Sequence, residues 1–142
     1  MILCDVNVLL NAHFSAQQHH DTARELLERA ANDATPHALS ELVLSAFIRI
    51  ATNRRAFDPP APLDVAVAFC QDFLERPNAR VVAPSARHWS LFVELCRVVD
   101  ARGPLVADAY LAALAIESGC EWISFDRDFA RFPGLRWCHP LD

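Results

Sequence analysis

Residues 1–7 read Met1-Ile2-Leu3-Cys4-Asp5-Val6-Asn7, a short apolar run interrupted by a carboxylate and an amide. Short continuous apolar runs are typical of strands buried on both faces of a parallel sheet, and the polar residues mark the C-terminal end of the strand. Asp5 has apolar neighbours on both sides, and acidic residues are almost never fully buried unless they are paired. The segment therefore predicts a buried strand that ends in a functional Asp5.

Beyond this strand, short apolar runs alternate with segments in which apolar residues recur at helical spacing. Helices are predicted over residues 20–31, 39–51, 63–74, 85–99 and 106–117, and further strands over residues 80–83, 120–125 and 135–139. Ser40 and Ser85 are the predicted N-caps of the second and fourth helices, and Gly119 is the predicted residue after the end of the last one. This alternation predicts an α/β sandwich with a parallel sheet of four or five strands. A length of 142 residues predicts one domain over 1–142.

Charge and composition narrow the classes of function. The net charge of −5 argues against a protein that wraps nucleic acid through a broad basic surface. It does not exclude a nuclease, since metal ions and a few arginines can hold the substrate phosphates. All 13 basic residues are Arg, a bias that carries little weight because GC-rich coding also produces it.

The N-terminal segment and the cysteines predict the compartment. Residues 1–7 lack the basic region of a signal peptide, and no apolar stretch reaches the ~18 residues that a membrane span needs. The five cysteines are odd in number and include no C-x-x-C pair, so we interpret them as core residues in a reducing environment. A soluble cytoplasmic protein is expected.

Four carboxylates stand beside segments that should be buried: Asp5, Glu41, Asp108 and Asp126. Asp5 and Asp126 follow predicted strands, whose C-terminal ends border the crevice where open parallel sheets bind ligands. Glu41 and Asp108 fall in the opening turns of predicted helices, where the helix dipole favours a negative charge. Each position alone has a simpler explanation as a turn or cap residue, but together they predict one acidic crevice.

Such a cluster needs a cation, because unpaired buried carboxylates are strongly destabilising. An all-oxygen ligand set suits Mg²⁺ or Mn²⁺, which also bind substrate phosphate oxygens. His19 and His20 are adjacent rather than four residues apart, so a zinc site there is not expected. The chemistry predicted for the crevice is metal-dependent hydrolysis of phosphodiester bonds.

These residues resemble the PIN-domain nucleases, specifically the VapC-type ribonuclease toxins of bacterial type II toxin–antitoxin systems, and the resemblance extends over essentially the whole chain. It rests on the motifs Cys4-Asp5-Val6-Asn7, Ser40-Glu41-Leu42, Asp108-Ala109-Tyr110-Leu111-Ala112-Ala113 and Ser124-Phe125-Asp126-Arg127-Asp128-Phe129. Ser124 replaces the Thr of many relatives and keeps the hydroxyl. The resemblance implies a PIN-like three-layer sandwich and a Mg²⁺-dependent endoribonuclease, with Mn²⁺ as an alternative metal.

The resemblance also implies a role for each site residue. The four carboxylates Asp5, Glu41, Asp108 and Asp126 would form the metal site and act in catalysis. Asn7 and Ser124 would support them through hydrogen bonds. The number of metal ions stays open: one ion would be held by Asp5 and Asp108, and a second could lie nearer Asp126. Asp128 is left out of the core set, since in this turn it is expected to pair with Arg127 or Arg131 or to face solvent.

A substrate contact is predicted from position in the sequence, shortly before Asp108, and the protein partners follow from the resemblance. Arg102 is the candidate for a phosphate contact with the RNA substrate, and a solvated loop arginine is an equal alternative. A homodimer and a VapB-type antitoxin that covers the acidic cleft are implied. Apolar residues on two helices, Leu26, Leu27, Phe47 and Ile50, would receive the antitoxin unless they belong to the core.

Three other functions remain open. The first is a catalytically silent PIN-like module that binds a protein partner, and the second is a PIN nuclease of RNA processing without an antitoxin. The third is a phosphatase with a strand-end Asp nucleophile, which the sequence disfavours because Asn7 stands where such enzymes carry a second Asp and the chain has no Lys.

Overall fold

A computed structural model describes residues 1–142 and centres on a five-stranded parallel sheet. The strands are β1 (Ile2–Cys4), β2 (His37–Leu39), β3 (Ala79–Val81), β4 (Glu121–Ile123) and β5 (Trp137–Cys138). Their order is β3-β2-β1-β4-β5, and every neighbouring pair is parallel. The predicted α/β architecture with four or five parallel strands is confirmed.

Six α-helices flank the sheet, and a short 3₁₀ helix (Arg127–Arg131) precedes β5. The helices are α1 (Val6–His13), α2 (His20–Asn32), α3 (Glu41–Ala51), α4 (Leu63–Leu74), α5 (His88–Val99) and α6 (Pro104–Glu117). Helix α1 packs on α2 and α3, and α3 packs on α4; α5 and α6 form a separate pair, with α6 against β4. None of the helices has the length and apolar character needed to cross a membrane.

Helix α1 is absent from the sequence-based prediction, which placed the next helix after β1 at residue 20. The backbone N–H of Val6 donates a 2.7 Å hydrogen bond to Asp5 Oδ1, so the strand passes into a helix without a loop. Val8 and Leu9 are buried on the inner face of α1. The prediction missed this helix because its apolar residues follow those of β1 with almost no polar interruption.

Strand β2 was also missed, since residue 39 was assigned to the start of a helix. Ala38 pairs with Leu3 of β1, and His37–Leu39 are fully covered by their neighbours. The helix begins at Glu41, and Val43 N–H donates to Ser40 Oγ at 3.4 Å, which confirms Ser40 as the cap. A three-residue strand carries too little periodic signal to be separated from the helix that follows.

Two predicted helix starts need correction. Ser85 does not cap α5, which begins at His88; its hydroxyl and N–H instead donate to the Glu117 carboxylate. Helix α6 begins at Pro104, two residues earlier than predicted, after Gly103 with φ of 55°. Asp108 therefore lies in the second turn of α6 rather than in its opening turn.

The strand order places β1 in the middle of the sheet, with β2 and β3 on one side and β4 and β5 on the other. The chain adds β2 and β3 on one side of β1 and then crosses to the other side to add β4 and β5, so the strand order switches between β1 and β4. Ligands of open parallel sheets bind at the C-terminal ends of the strands beside such a switch point. Asp5 follows β1 and Asp126 lies just beyond β4, so both acids border this position.

Candidate active site

An open cavity of about 830 Å³ lies at the switch point. Asp5, Asp108 and Asp126 all line it, together with Asn7. The structure therefore brings together three of the four carboxylates that the sequence singles out. They come from three elements: the end of β1, the second turn of α6 and the segment after β4.

Asp5 is the most constrained of the three acids, with 6% of its surface exposed. Its Oδ1 accepts from Val6 N–H, and its Oδ2 accepts from Ser124 Oγ at 2.6 Å and from Asn7 Nδ2 at 3.0 Å. These bonds fix the orientation of the carboxylate and bring the positive end of α1 against it. The cavity thus contains a buried carboxylate that is held in one position.

Ser124 connects the ends of β1 and β4. Its hydroxyl donates to Asp5, accepts from Asn7 Nδ2 at 2.9 Å and accepts from the Asp126 N–H at 3.0 Å. A hydroxyl has one donor and two acceptor positions, so all three are used. Asn7 completes the network by accepting from Phe125 N–H at 3.2 Å. Asn7 and Ser124 make the hydrogen bonds that were expected of them.

Electrostatics link the three acids. Burial raises the pKa of Asp5 to about 6; the negative charge of Asp126 adds to this rise, and the hydrogen bonds from Ser124 and Val6 oppose it. Burial, followed by the charges of Asp126, Asp5 and Asp128, raises the pKa of Asp108 to about 6. No basic side chain forms an ion pair with Asp5, Asp108 or Asp126. The negative charge of the cavity is thus uncompensated by the protein.

Asp126 and Asp128 lie in one turn but have different positions. Asp126 Oδ1 caps the 3₁₀ helix by accepting from Asp128 N–H at 2.9 Å, and Asp126 lines the cavity. Asp128 is exposed and forms no ion pair with Arg127, whose guanidinium contacts Asp142 at 3.1 Å. Its charge nevertheless contributes to the raised pKa of Asp108. Asp128 therefore lies at the margin of the acidic cluster.

Glu41 and Arg102 are the predicted residues that the structure does not bring into the cavity. Glu41 is the first residue of α3 and is exposed, while the next two residues, Leu42 and Val43, line the cavity. Arg102 lies next to Gly103, which lines the cavity, but its guanidinium is 3.4 Å from Asp100 and both side chains are 82% exposed. Glu41 is thus adjacent to the cavity, and Arg102 belongs to the loop beside it.

Arg49 is a cavity residue that the sequence analysis missed. It is the one basic residue that lines the cavity, and it forms no ion pair. It lies on α3 with Leu42, Ala46 and Ile50, which follow one another at spacings of four residues, and Arg49 comes three residues after Ala46. This spacing is visible in the sequence, but only the tertiary fold shows that this side of α3 faces Asp5 and Asp108.

The apolar residues proposed for an antitoxin contact divide into two sets. Leu27 and Phe47 are buried and belong to the core, so they are not available to a partner, and Leu26 is half-buried against the core. Ile50 lines the cavity. Leu42, about two turns earlier on α3, also lines it and is 51% exposed. The available apolar surface thus lies beside the acids.

The donor set was tested against a divalent cation. No three Asp, Glu, His or Cys side chains are gathered tightly enough to form a metal centre by themselves. Mg²⁺, however, keeps several waters and takes only one or two protein carboxylates. The carboxylates of Asp5 and Asp108 offer oxygen donors to one cavity and form no ion pair, so they fit Mg²⁺ or Mn²⁺ better than zinc or copper.

Comparisons with known proteins identify the family of the chain. The PIN domain family model matches residues 2–135. The chain is 47% identical over 142 residues to VapC ribonuclease Mb2897 of Mycobacterium bovis, covering 100% of this chain and 97% of that protein. It is 41% identical over 140 residues to ribonuclease VapC25 of Mycobacterium tuberculosis, covering 99% of both.

Solved structures share the fold at lower identity. VapBC2 from Rickettsia felis, bound to a DNA fragment from its promoter, superposes with a TM-score of 0.71 and 20% identity over 98% of both chains. VapC20 of Mycobacterium tuberculosis, a Sarcin-Ricin loop cleaving toxin, superposes with a TM-score of 0.67 and 21% identity over 96% of this chain and 99% of that one. The resemblance found in the motifs is confirmed, and the chain belongs to the PIN-domain family, among its VapC proteins.

Proposed function

We propose that the protein is a Mg²⁺-dependent endoribonuclease that acts as the toxin of a VapBC-type pair. The observation that carries this proposal is the convergence of Asp5, Asp108 and Asp126 on one open cavity without a basic partner. Relatives at 47% and 41% identity are named as ribonucleases, which supports RNA as the substrate. Mn²⁺ is the alternative metal.

Asp5 and Asp108 would hold the metal, and Asp126 would complete the negative face of the cavity. A bound Mg²⁺ would polarise the scissile phosphate and make an attacking water more acidic. Asn7 and Ser124 keep the Asp5 carboxylate in one orientation, since each donates a hydrogen bond to Oδ2. Glu41, exposed beside the cavity, would position the attacking water or accept its proton.

Cleavage of RNA by the purified protein tests this proposal. The wild type should cleave single-stranded RNA with Mg²⁺ or Mn²⁺ and stop when EDTA is added. Asp108→Asn should lose at least ~100-fold in rate, because the side chain keeps its shape but loses its negative charge. Asp72→Asn is the matched control: Asp72 is exposed on α4 and pairs with Arg76, outside the cavity. Wild-type turnover by Asp108→Asn would overturn the proposal.

We also propose a homodimer and a VapB-type antitoxin partner. VapBC complexes among the structures that share the fold support the antitoxin, and the exposed side chains of Leu42 and Val106 beside the cavity offer it apolar surface. Light scattering of the protein, alone and with the product of the neighbouring gene, tests both. A monomer in both conditions would contradict this part and leave the nuclease proposal intact.

A further inference from the structure

The cavity at the switch point is larger than a metal site requires and has two chemically different parts. Asp5, Asp108 and Asp126 form its acidic part, and the rest is mostly apolar. Helix α3 contributes one set of apolar residues, and α5 and α6 contribute Phe92, Tyr110 and Leu111. A single cation occupies only the acidic part, so the remaining volume can accept a much larger ligand.

Arg49 is the feature of this wider cavity that a metal does not explain. Its guanidinium is exposed, forms no ion pair and lines a cavity whose other charged residues are all acids. Arginine binds phosphate through two parallel N–H donors. The charge of Arg49 would attract a phosphate next to the one that the metal binds. An Arg at this place suits a ligand that carries successive phosphates.

The aromatic residues of the cavity suit the base of a nucleotide in such a ligand. Phe92 and Tyr110 both line the cavity, and their rings pack edge to face with centroids 5.4 Å apart. Both side chains are only partly buried. Proteins bind unpaired bases by stacking them on such aromatic side chains, which gives affinity without a strong sequence preference.

We propose that the cavity holds a nucleotide adjacent to the cleaved bond, with Arg49 on the neighbouring phosphate and Tyr110, supported by Phe92, against the base. The ligand is single-stranded RNA, because a base that is paired within a helix cannot reach an aromatic ring in the cavity. This assignment rests on the proposed ribonuclease function and adds to it the residues that bind the substrate. It also places the phosphate contact at Arg49 instead of Arg102.

Binding of a short fluorescein-labelled single-stranded RNA of mixed sequence tests the assignment. Binding is measured by anisotropy in Asp108→Asn with Mg²⁺, so that cleavage does not interfere. Adding Arg49→Gln should raise Kd about tenfold and lower the slope of log Kd against log salt by about 0.7, the value for one phosphate contact on a single strand. Arg29→Gln, an exposed residue of α2 outside this cavity, is the matched control and should change neither quantity.

The aromatic half of the assignment has its own variant. Tyr110→Leu keeps an apolar side chain in the cavity and removes the ring, so Kd should rise about tenfold while the salt slope stays unchanged. Thermal unfolding of each variant verifies that it folds. If Tyr110→Leu binds as the parent does, the base contact is wrong.

Turnover of the same RNA by proteins that retain Asp108 separates this inference from the proposed function. Arg49→Gln should raise KM about tenfold and leave kcat near the wild-type value. If Arg49→Gln and Arg29→Gln bind RNA with equal Kd, the inference is wrong. The proposed ribonuclease function still stands in that case if the wild type cleaves the RNA. A wild type that binds RNA through Arg49 without cleaving it overturns only the ribonuclease, and a protein that does not bind RNA overturns both.

Discussion

Ser124 Oγ lies 2.6 Å from Asp5 Oδ2 and donates a hydrogen bond to it across 119 positions of sequence. The two residues follow neighbouring parallel strands, with Cys4 paired to Ile123. The same hydroxyl accepts from Asn7 and from the Asp126 backbone, so the two ends of the strands and the two acids are joined through one oxygen. Position 124 therefore controls the geometry of the proposed metal site.

Replacing this hydroxyl gives the first prediction. Ser124→Ala removes one of the three donors to Asp5, and it leaves one N–H of the Asn7 amide and the Asp126 N–H without their acceptor. We expect a loss of about 1–3 kcal/mol in the free energy of unfolding and a 10- to 100-fold weaker metal affinity. Ser124→Thr keeps the hydroxyl and should approach the wild type in both. Urea denaturation of the three proteins, with and without Mg²⁺, measures these effects, and equal stability of Ala and wild type would contradict the network.

The second prediction concerns pH in the absence of metal. The pKa of Asp5 is about 6 in the folded protein and 3.8 as its ordinary value, so the folded state binds the proton more tightly than the unfolded state. Stability should therefore rise as pH falls from 7 toward 4, and the cost of the charged carboxylate should be fully present above pH 6. Asp108 contributes in the same direction. For Asp5 the change is on the order of 2–3 kcal/mol.

Asp5→Asn is the control for this pH dependence. The amide cannot ionise, so we expect the variant without metal to show a shallower pH profile between pH 7 and 4. The midpoints of urea denaturation of both proteins, measured in EDTA at a series of pH values, test this prediction. Wild-type and Asp5→Asn profiles with the same slope between pH 7 and 5 would contradict a raised pKa of Asp5.

Metal addition gives the third prediction and separates a nuclease from a silent PIN-like module. Mg²⁺ at 100-fold excess over Kd should stabilise the wild type by about 2.7 kcal/mol. The gain should shrink below pH 6, because protons then compete for Asp5 and Asp108. Asp108→Asn should lose most of it. An unchanged melting temperature at every Mg²⁺ and Mn²⁺ concentration would favour the silent module.

The fourth prediction concerns Glu41, which lies beside the cavity rather than in it. Glu41→Gln should lower kcat for RNA about 100-fold, the size expected for loss of a general base. Because the side chain is exposed, unfolding free energy and the metal-induced rise in melting temperature should both stay near wild type. Activity is compared with that of Glu25→Gln, an exposed residue of α2. Loss of metal stabilisation in Glu41→Gln would make Glu41 a ligand instead.

The sequence predicted the elements with long periodic signals and the residues at their ends. The apolar run before Asp5 and the helical spacing of residues 106–117 were sufficient to place two acids at one edge of a parallel sheet. Helix α1 and strand β2 were missed for opposite reasons: α1 continues the apolar composition of β1, and β2 has only three residues. Sheet pairing, which is a tertiary interaction, overrode the local helical preference at Leu39.

The site shows a similar division. Asp5 was predictable because a carboxylate inside an apolar strand end needs a reason to be there, whereas the supporting roles of Asn7 and Ser124 came from the family resemblance. Arg49 was not, since a polar residue on an amphipathic helix is ordinary and its partner surface comes from α6. Arg102 was chosen by closeness to Asp108 in sequence, but its guanidinium is directed to Asp100. Closeness in sequence did not identify the basic residue of the cavity.

A crystal of the wild-type protein soaked in Mn²⁺ tests the metal site most directly, through anomalous diffraction collected near the manganese absorption edge. The account predicts an anomalous peak between the carboxylates of Asp5 and Asp108, on the side that faces Asp126, and no peak there in Asp108→Asn. A fully soaked crystal with no peak in this cavity, or with its peak elsewhere on the surface, would contradict it.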